Sequence, residues 1–199
     1  MTDTHSERDR MLRGEPYDSR DPALLALAHR ARALVASYAA LPSTDAAGRH
    51  AILTALLGAV APDVWIEPPF FVDYGAHIEI GAGTFLNTGC ILLDSAAIRI
   101  GRDVLLAPGV QLLTATHPLA ASERIRPPAA RAAGAAPYVT RAAPITIEDG
   151  CWLGAGVLVM PGVTIGARTT VAAGSVVTAS LPADVLAVGT PARVVRALG

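Results

Sequence analysis

Residues 147–182 read, in sixes, "IEDGCW LGAGVL VMPGVT IGARTT VAAGSV VTASLP". The first positions, Ile147, Leu153, Val159, Ile165, Val171 and Val177, are all aliphatic. The fifth positions, Cys151, Val157, Val163, Thr169 and Ser175, are small or β-branched. Upstream the same frame starts at Ile80 as "IGAGTF LNTGCI LLDSAA", slips by two residues, and resumes at Ile100 as "IGRDVL LAPGVQ LLTATH". That adds Ile80, Leu86, Leu92, Ile100, Leu106 and Leu112 to the first column, and Thr84, Cys90, Ala96, Val104, Val110 and Thr116 to the fifth. Six residues make one short strand and a corner, and three such units close a triangular coil. The aliphatic column then points inward and small residues fill the corners. Coils stack through parallel-strand hydrogen bonds about 4.8 Å apart. Glycines at 83, 89, 109, 156, 162 and 174 suit corners that need a positive φ.

The rest of the chain narrows the classes. Its 199 residues allow one domain with an appendage, and 52% hydrophobic against 17% charged residues argues against disorder. A net charge of −1 provides no field for nucleic acid, and every basic residue is arginine. The polar start "MTDTHSERDRMLRGEPYDSRD" is unlike a secretory signal, and no apolar run is long enough for a membrane span. The cytoplasm is the expected address. Cys90 and Cys151 occupy small-residue positions and are expected to be reduced and buried, with no CxxC or Cys/His cluster to suggest a metal.

Two helices are expected ahead of the prism. Asp21 and Pro22 give a start signal for "DPALLALAHRARALVASYA", whose Leu24, Leu27, Ala28, Ala31, Leu34, Val35 and Tyr38 recur at helical spacing. Ser43 or Thr44 would cap a second helix with Ile52, Leu53, Leu56 and Leu57 as its stripe. His29 and His50 have no partners at ligand spacing and read as surface or packing residues. The expected organisation is a leader and helical segment over 1–62, the β-helix over 63–190 with a loop extruded at 118–143, and a terminal segment over 191–199.

The loop interrupts the repeat directly after His117, in "LLTATHPL". A long excursion from a regular solenoid is commonly functional. The expected placement of His117 is at the last position before the chain leaves the prism, its ring outward beneath a flexible flap.

On these residues the chain resembles the maltose and galactoside O-acetyltransferases of the hexapeptide-repeat family. The resemblance rests on "TATHP", the flanking "IGRDVLLAPGVQL" and "ITIEDGCWLGAGVLVMPGVTIG", the leader "ERDRMLRGEPYD", the segment "WIEPPFFVDYG" and the closing "VGTPARVVR". It implies a mainly β fold, the left-handed parallel β-helix, in a homotrimer. It also implies acetyl-CoA as co-substrate, a small-molecule sugar acceptor such as maltose, glucose or a galactoside, and no metal.

The resemblance gives His117 the part of catalytic base. A sugar hydroxyl is too weakly acidic to attack a thioester unaided, and an imidazole, with an ordinary pKa of about 6.5, can take its proton. With no cysteine beside His117 in the repeat, direct attack is favoured over an acyl-enzyme. On the acceptor side the resemblance places Asp18, Asp73, Phe85, Asn87 and Asp94. Asn87 and Asp94 also interrupt an apolar wall, while Asp94 or Asp18 could instead hold a turn and Phe85 could pack in the core. On the donor side it places Trp152, Ala155, whose N–H would hold the thioester oxygen, Ala173, Thr178 and Arg193. The lysine common after Thr178 in the family is Ala179 here, so a phosphate contact would shift to Arg168 or Arg193.

Three rivals remain. A zinc hydratase on the same prism would need three imidazoles, and the repeat region offers only His77 and His117. The acceptor could be serine or an antibiotic hydroxyl, or the prism could be a non-catalytic scaffold.

Overall fold

A computed structural model describes residues 5–199, so residues 1–4 of the expected leader lie outside the described part. The chain folds into a parallel β-solenoid of three faces, approached by three helices. The first face stacks Ala59–Val60, Ile78–Ile80, Ile98–Ile100, Ile145–Ile147 and Thr164–Ile165. The second stacks Trp65–Ile66, Phe85–Leu86, Leu105–Leu106, Trp152–Leu153, Thr170–Val171 and Val185–Gly189, and ends on the antiparallel Ala192–Ala197. Phe71–Val72, Ile91–Leu93, Gln111–Leu113, Leu158–Val159 and Val176–Val177 make the third.

The register puts aliphatic on aliphatic: Ile80 on Ile100 on Ile147 on Ile165, and Leu86 on Leu106 on Leu153 on Val171. The whole first column is buried, none of it more than 4% exposed. Cys90 and Cys151 are free and buried among it, as expected. The six corner glycines take φ between 66° and 82°. Thr84 and Thr169 do more than fill space. Each hydroxyl donates to a carbonyl of the next coil (Gly101 at 2.8 Å, Pro182 at 2.7 Å) and accepts an N–H (Val104, Val185), so the buried corner stays hydrogen-bonded.

The fold departs from the sequence reading in several places. The first coil opens at Ala59, and its fifth-position Phe70 breaks the small-residue rule. No earlier coil stacks on it, so there is room, and Tyr38 closes over it edge-on with ring centroids 5.4 Å apart. The leader contains a helix the composition did not reveal, α1 (Glu7–Leu12), with a Ser6/Asp9 capping box. Helix α2 (Pro22–Ala40) starts at Asp21 as expected. Helix α3 (Ala46–Leu56) is capped by Asp45, not Ser43 or Thr44. Thr116 does not occupy a corner. The repeat ends at Thr114, which is buried and bonds Leu93 O and Ala96 N, and Thr116 pairs antiparallel with Arg141.

Two cores result. The prism core extends to Tyr38, Leu53 and Leu56 of the helices, and a smaller one joins Met11, Tyr17, Leu24, Ala28 and Tyr74. No helix among the described residues is long and apolar enough to cross a membrane. Truncating the fully buried Leu153 to Ala is expected to cost about 2–5 kcal/mol, read as a lower urea midpoint with unchanged slope.

Candidate active site

The early coils carry two extra residues at the edge between the third and first faces: Val72 precedes Ile80 by eight positions where the later coils allow six. That edge bulges outward at Asp73–His77 and Asp94–Ala97, and one coil further the chain leaves it altogether. Ala115–Thr116 and Arg141–Ala142 form the base of the excursion. It is no loose flap. It holds a short helix, α4 (Ala121–Arg124), and a 3-10 turn at Pro128–Ala130, and it is laced to the leader. Tyr17 pairs with Thr140, Arg126 donates to Tyr17 O at 3.3 Å, and Ala136 N–H donates to the Asp18 carboxylate at 3.0 Å.

His117 stands at the root of this excursion. Its Nδ1 lies 2.8 Å from the carbonyl oxygen of Val139, and Tyr138 meets its ring edge-on at 5.3 Å between centroids. A carbonyl can only accept, so Nδ1 carries the hydrogen and the neutral ring keeps its lone pair on Nε2. The ring borders a cavity of about 410 Å³ shared by the prism edge (Asp73, Tyr74, Ser95), the leader (Tyr17, Ser19), α2 (Leu24, Leu25, Ala28, Arg32) and the returning strand (Tyr138, Thr140). A larger concavity of about 620 Å³ lies on the first face, but no histidine lines it; Arg99 pairs with Glu79, Arg102 with Asp149 and Arg168 with Asp184, while Glu148 accepts Ala167 N–H. The smaller one is the candidate site, because it gathers an imidazole, a carboxylate, hydroxyls and phenols.

Burial raises the Asp73 carboxyl to about 6, with the charge of Asp94 adding to it and Ser95 and Arg32 opposing. Burial likewise pushes the Tyr17 and Tyr74 phenols up, so both are neutral donors facing the cavity at pH 7. Sequence reasoning missed Tyr17, Tyr74, Ser95, Arg32 and Tyr138. The slip in the repeat marks the bulging edge that carries Tyr74 and Ser95, whereas Tyr17, Arg32 and Tyr138 come from the leader, α2 and the excursion and left no local signal.

Of the expected acceptor residues, Asp73 alone lines the cavity. Asp94 is fully buried, accepting Tyr74 N–H at 2.8 Å and His77 N–H at 3.2 Å, and therefore holds the bulge, the alternative its corner position left open. Asp18 ties down the loop through Ala136 and caps Arg20 N–H. Phe85 is half-buried on the outer side of the second face, not in the core. Asn87 sits at the edge between the second and third faces, accepting Thr88 N–H.

The donor-side residues divide the same way. Trp152 is 53% exposed on the second face, in an outward row with Trp65, Phe85 and Leu105. Ala155 and Ala173 stack at the edge between the second and third faces, where Gly174 N–H donates to Ala155 O and the Ala155 N–H has no partner among the described residues. Thr178 lies on the His117 edge, sharing with Arg193 a groove of about 340 Å³. Arg168 is not free for phosphate, because Asp184 holds it at 2.6 Å through two oxygens. Since Leu112 stacks on Val159, Ala155 and His117 leave opposite ends of one face. Within one chain, several extended residues at about 3.3 Å each therefore separate the two.

Comparison with known proteins fits this geometry. A signature described as "Maltose acetyltransferase hexapeptide capping motif" matches residues 10–61, and "Bacterial transferase hexapeptide (six repeats)" matches 144–179. The crystal structure of a maltose O-acetyltransferase from Clostridium difficile 630 superposes with a TM-score of 0.89 at 34% identity, over 99% of this chain and all of that one. The chain belongs to the maltose and galactoside O-acetyltransferase family. The galactoside O-acetyltransferase of Escherichia coli K12 is 34% identical over 74% of this chain and 68% of its own. A hexapeptide-repeat acetyltransferase of Vibrio cholerae, solved with acetyl-coenzyme A, superposes at 0.84 with 39% identity, over 98% of this chain and all of that one. This chain is accordingly an acetyl-CoA-dependent O-acetyltransferase. Among the described residues no group of three or more His, Cys, Asp or Glu side chains is placed to hold a metal.

Asp73 gives a linkage prediction. Its folded pKa lies above the unfolded value, so it favours the fold below about pH 4 and that contribution is lost as pH rises through about 6. Asp73→Asn should therefore raise stability at pH 7.5 by about 1–2 kcal/mol and leave it nearly unchanged at pH 4, measured by thermal melts at both.

Proposed function

We propose that the enzyme moves the acetyl group onto a hydroxyl of a sugar, of maltose, glucose or galactoside type, with Nε2 of His117 as general base. The observation that carries this is the Nδ1–H bond to Val139 O beside a cavity lined by a carboxylate, hydroxyls and phenols. Such groups recognise polyols because each bonds hydroxyls in a defined direction. Nε2 receives the acceptor proton as its oxygen attacks, the Val139 carbonyl supports the resulting imidazolium, and the same nitrogen returns the proton to the departing thiol. The thioester, when bound, supplies the activated acyl carbon. Ala155 N–H, exposed and unpaired, is suited to the developing oxyanion, and Thr178 and Arg193 to the far end of the coenzyme.

We further propose that the working form is a homotrimer. Two observations support it: one chain holds Ala155 and His117 on different edges, and the row Trp65, Phe85, Leu105 and Trp152 turns apolar surface outward. A neighbouring copy with its Ala155 edge against the His117 edge would complete the site. Leu105, 48% exposed, tests this. Leu105→Glu should yield smaller species in sedimentation velocity and lose activity with them, whereas an active wild-type monomer at micromolar concentration would refute the assembly.

The main test is release of coenzyme A thiol with maltose, glucose, galactosides, serine and a hydroxylated antibiotic. His117→Ala should lower transfer to the sugars by about 10²–10⁴-fold while leaving coenzyme A binding and the circular dichroism spectrum intact. A well-folded, active alanine variant would defeat the assignment of the base, and transfer confined to serine or the antibiotic would defeat the sugar.

A further inference from the structure

Besides His117, the acceptor cavity is lined by two charged side chains, Asp73 from the prism edge and Arg32 from α2. Leu24, Ala28 and Arg32 follow one another at four-residue spacing, so a single face of α2 forms this wall and ends it with a guanidinium. Other arginines nearby are engaged. Arg124, Arg126 and Arg131 donate to backbone carbonyls within the excursion and leader, and Arg30 donates to Ala55 O. Arg32 makes no hydrogen bond or ion pair among the described residues. Its charge is felt at Asp73, yet the two do not close to ion-pair distance, which leaves the space between them open. Arg32 also borders a second concavity of about 220 Å³, otherwise lined by Val35, Ala36, Ala39 and the Pro68–Val72 segment. Arg32 is itself exposed, so solvent screens its charge, and the paired N–H groups of the planar guanidinium, not burial, carry the recognition.

We propose that Arg32 is a specificity-determining residue that selects sugar acceptors bearing an anionic substituent, a carboxylate or a phosphate, on the part of the molecule away from the reacting hydroxyl. The inference rests on the sugar reading above and deepens it. A planar guanidinium matches either anion with two parallel N–H bonds, which no neutral hydroxyl reproduces. Asp73 fixes the direction, since its carboxylate repels an anion and accepts from hydroxyls. The charged end of the acceptor is thereby turned to α2 and a hydroxyl to His117.

The test compares kcat/KM for methyl glucoside, methyl glucuronoside and glucose 6-phosphate in the wild type, Arg32→Gln, Arg32→Lys and Arg32→Glu. The ratio of anionic to neutral acceptor is the readout, because general damage to the site cancels in it. The wild type should favour at least one anionic acceptor by about tenfold or more, and the glucuronoside and phosphate arms tell which anion fits. Arg32→Gln should bring the ratio close to one, Arg32→Lys should keep part of it, and Arg32→Glu should invert it. Equal or better use of methyl glucoside by the wild type, or a ratio unmoved by Arg32→Gln, overturns the inference and leaves the sugar reading standing. No transfer to any of the three acceptors overturns both.

Discussion

Everything in this molecule depends on the stacking of one coil's inward aliphatic residue on that of the next. Ile80, Ile100, Ile147 and Ile165 form one such column, held in register by hydrogen bonds between coils. The columns leave no freedom along a face. A strand that slipped by one residue would turn its inward side chain to solvent and an outward one into the core. Only the edges between faces tolerate extra residues, because there the chain already turns and its backbone groups can be met by side chains such as Asp94.

The site is a product of that asymmetry. Two extra residues at the same edge in successive coils push Asp73 and Ser95 outward, and the third coil gives up its corner to the excursion that carries His117 and Tyr138. The excursion has to regain the register, and Ile145 does so directly on Ile98. Between those fixed points it is held by the leader. Tyr17 and Asp18 bind its returning strand, and the small core of Met11, Tyr17, Leu24, Ala28 and Tyr74 packs the leader to the prism. The helices thus do more than cap an open end, since α2 supplies a wall of the cavity beside His117.

Electrostatics follows from the same burial. The Asp94 carboxylate is tolerable inside because backbone N–H groups meet both of its oxygens. Burial raises the carboxyl of Asp73 in the neighbouring bulge to about 6, and the Asp94 charge adds to that rise. One structural carboxylate therefore adds to the shift of a neighbour that lines the cavity beside His117.

The sequence by itself determined the prism, because a six-residue period with an aliphatic column and glycine corners can satisfy its backbone only by coiling and stacking. It also determined the start of α2 through Asp21 and Pro22, and the departure of the chain near His117, since both signals are local. Other features required the tertiary structure. Ser43, Thr44 and Asp45 are comparable caps, and only the packing of Leu53 and Leu56 on the prism selects Asp45. Phe70 departs from the small-residue rule because its bulk is permitted only where no coil lies beneath and Tyr38 closes over it. Whether Asp94 binds substrate or holds a bulge, and that Ala155 and His117 part to opposite ends of a face, depends on where the edges fall in space. Spacing along a chain fixes which residues lie on one face, but the distance across that face, and what else approaches it, belong to the folded object.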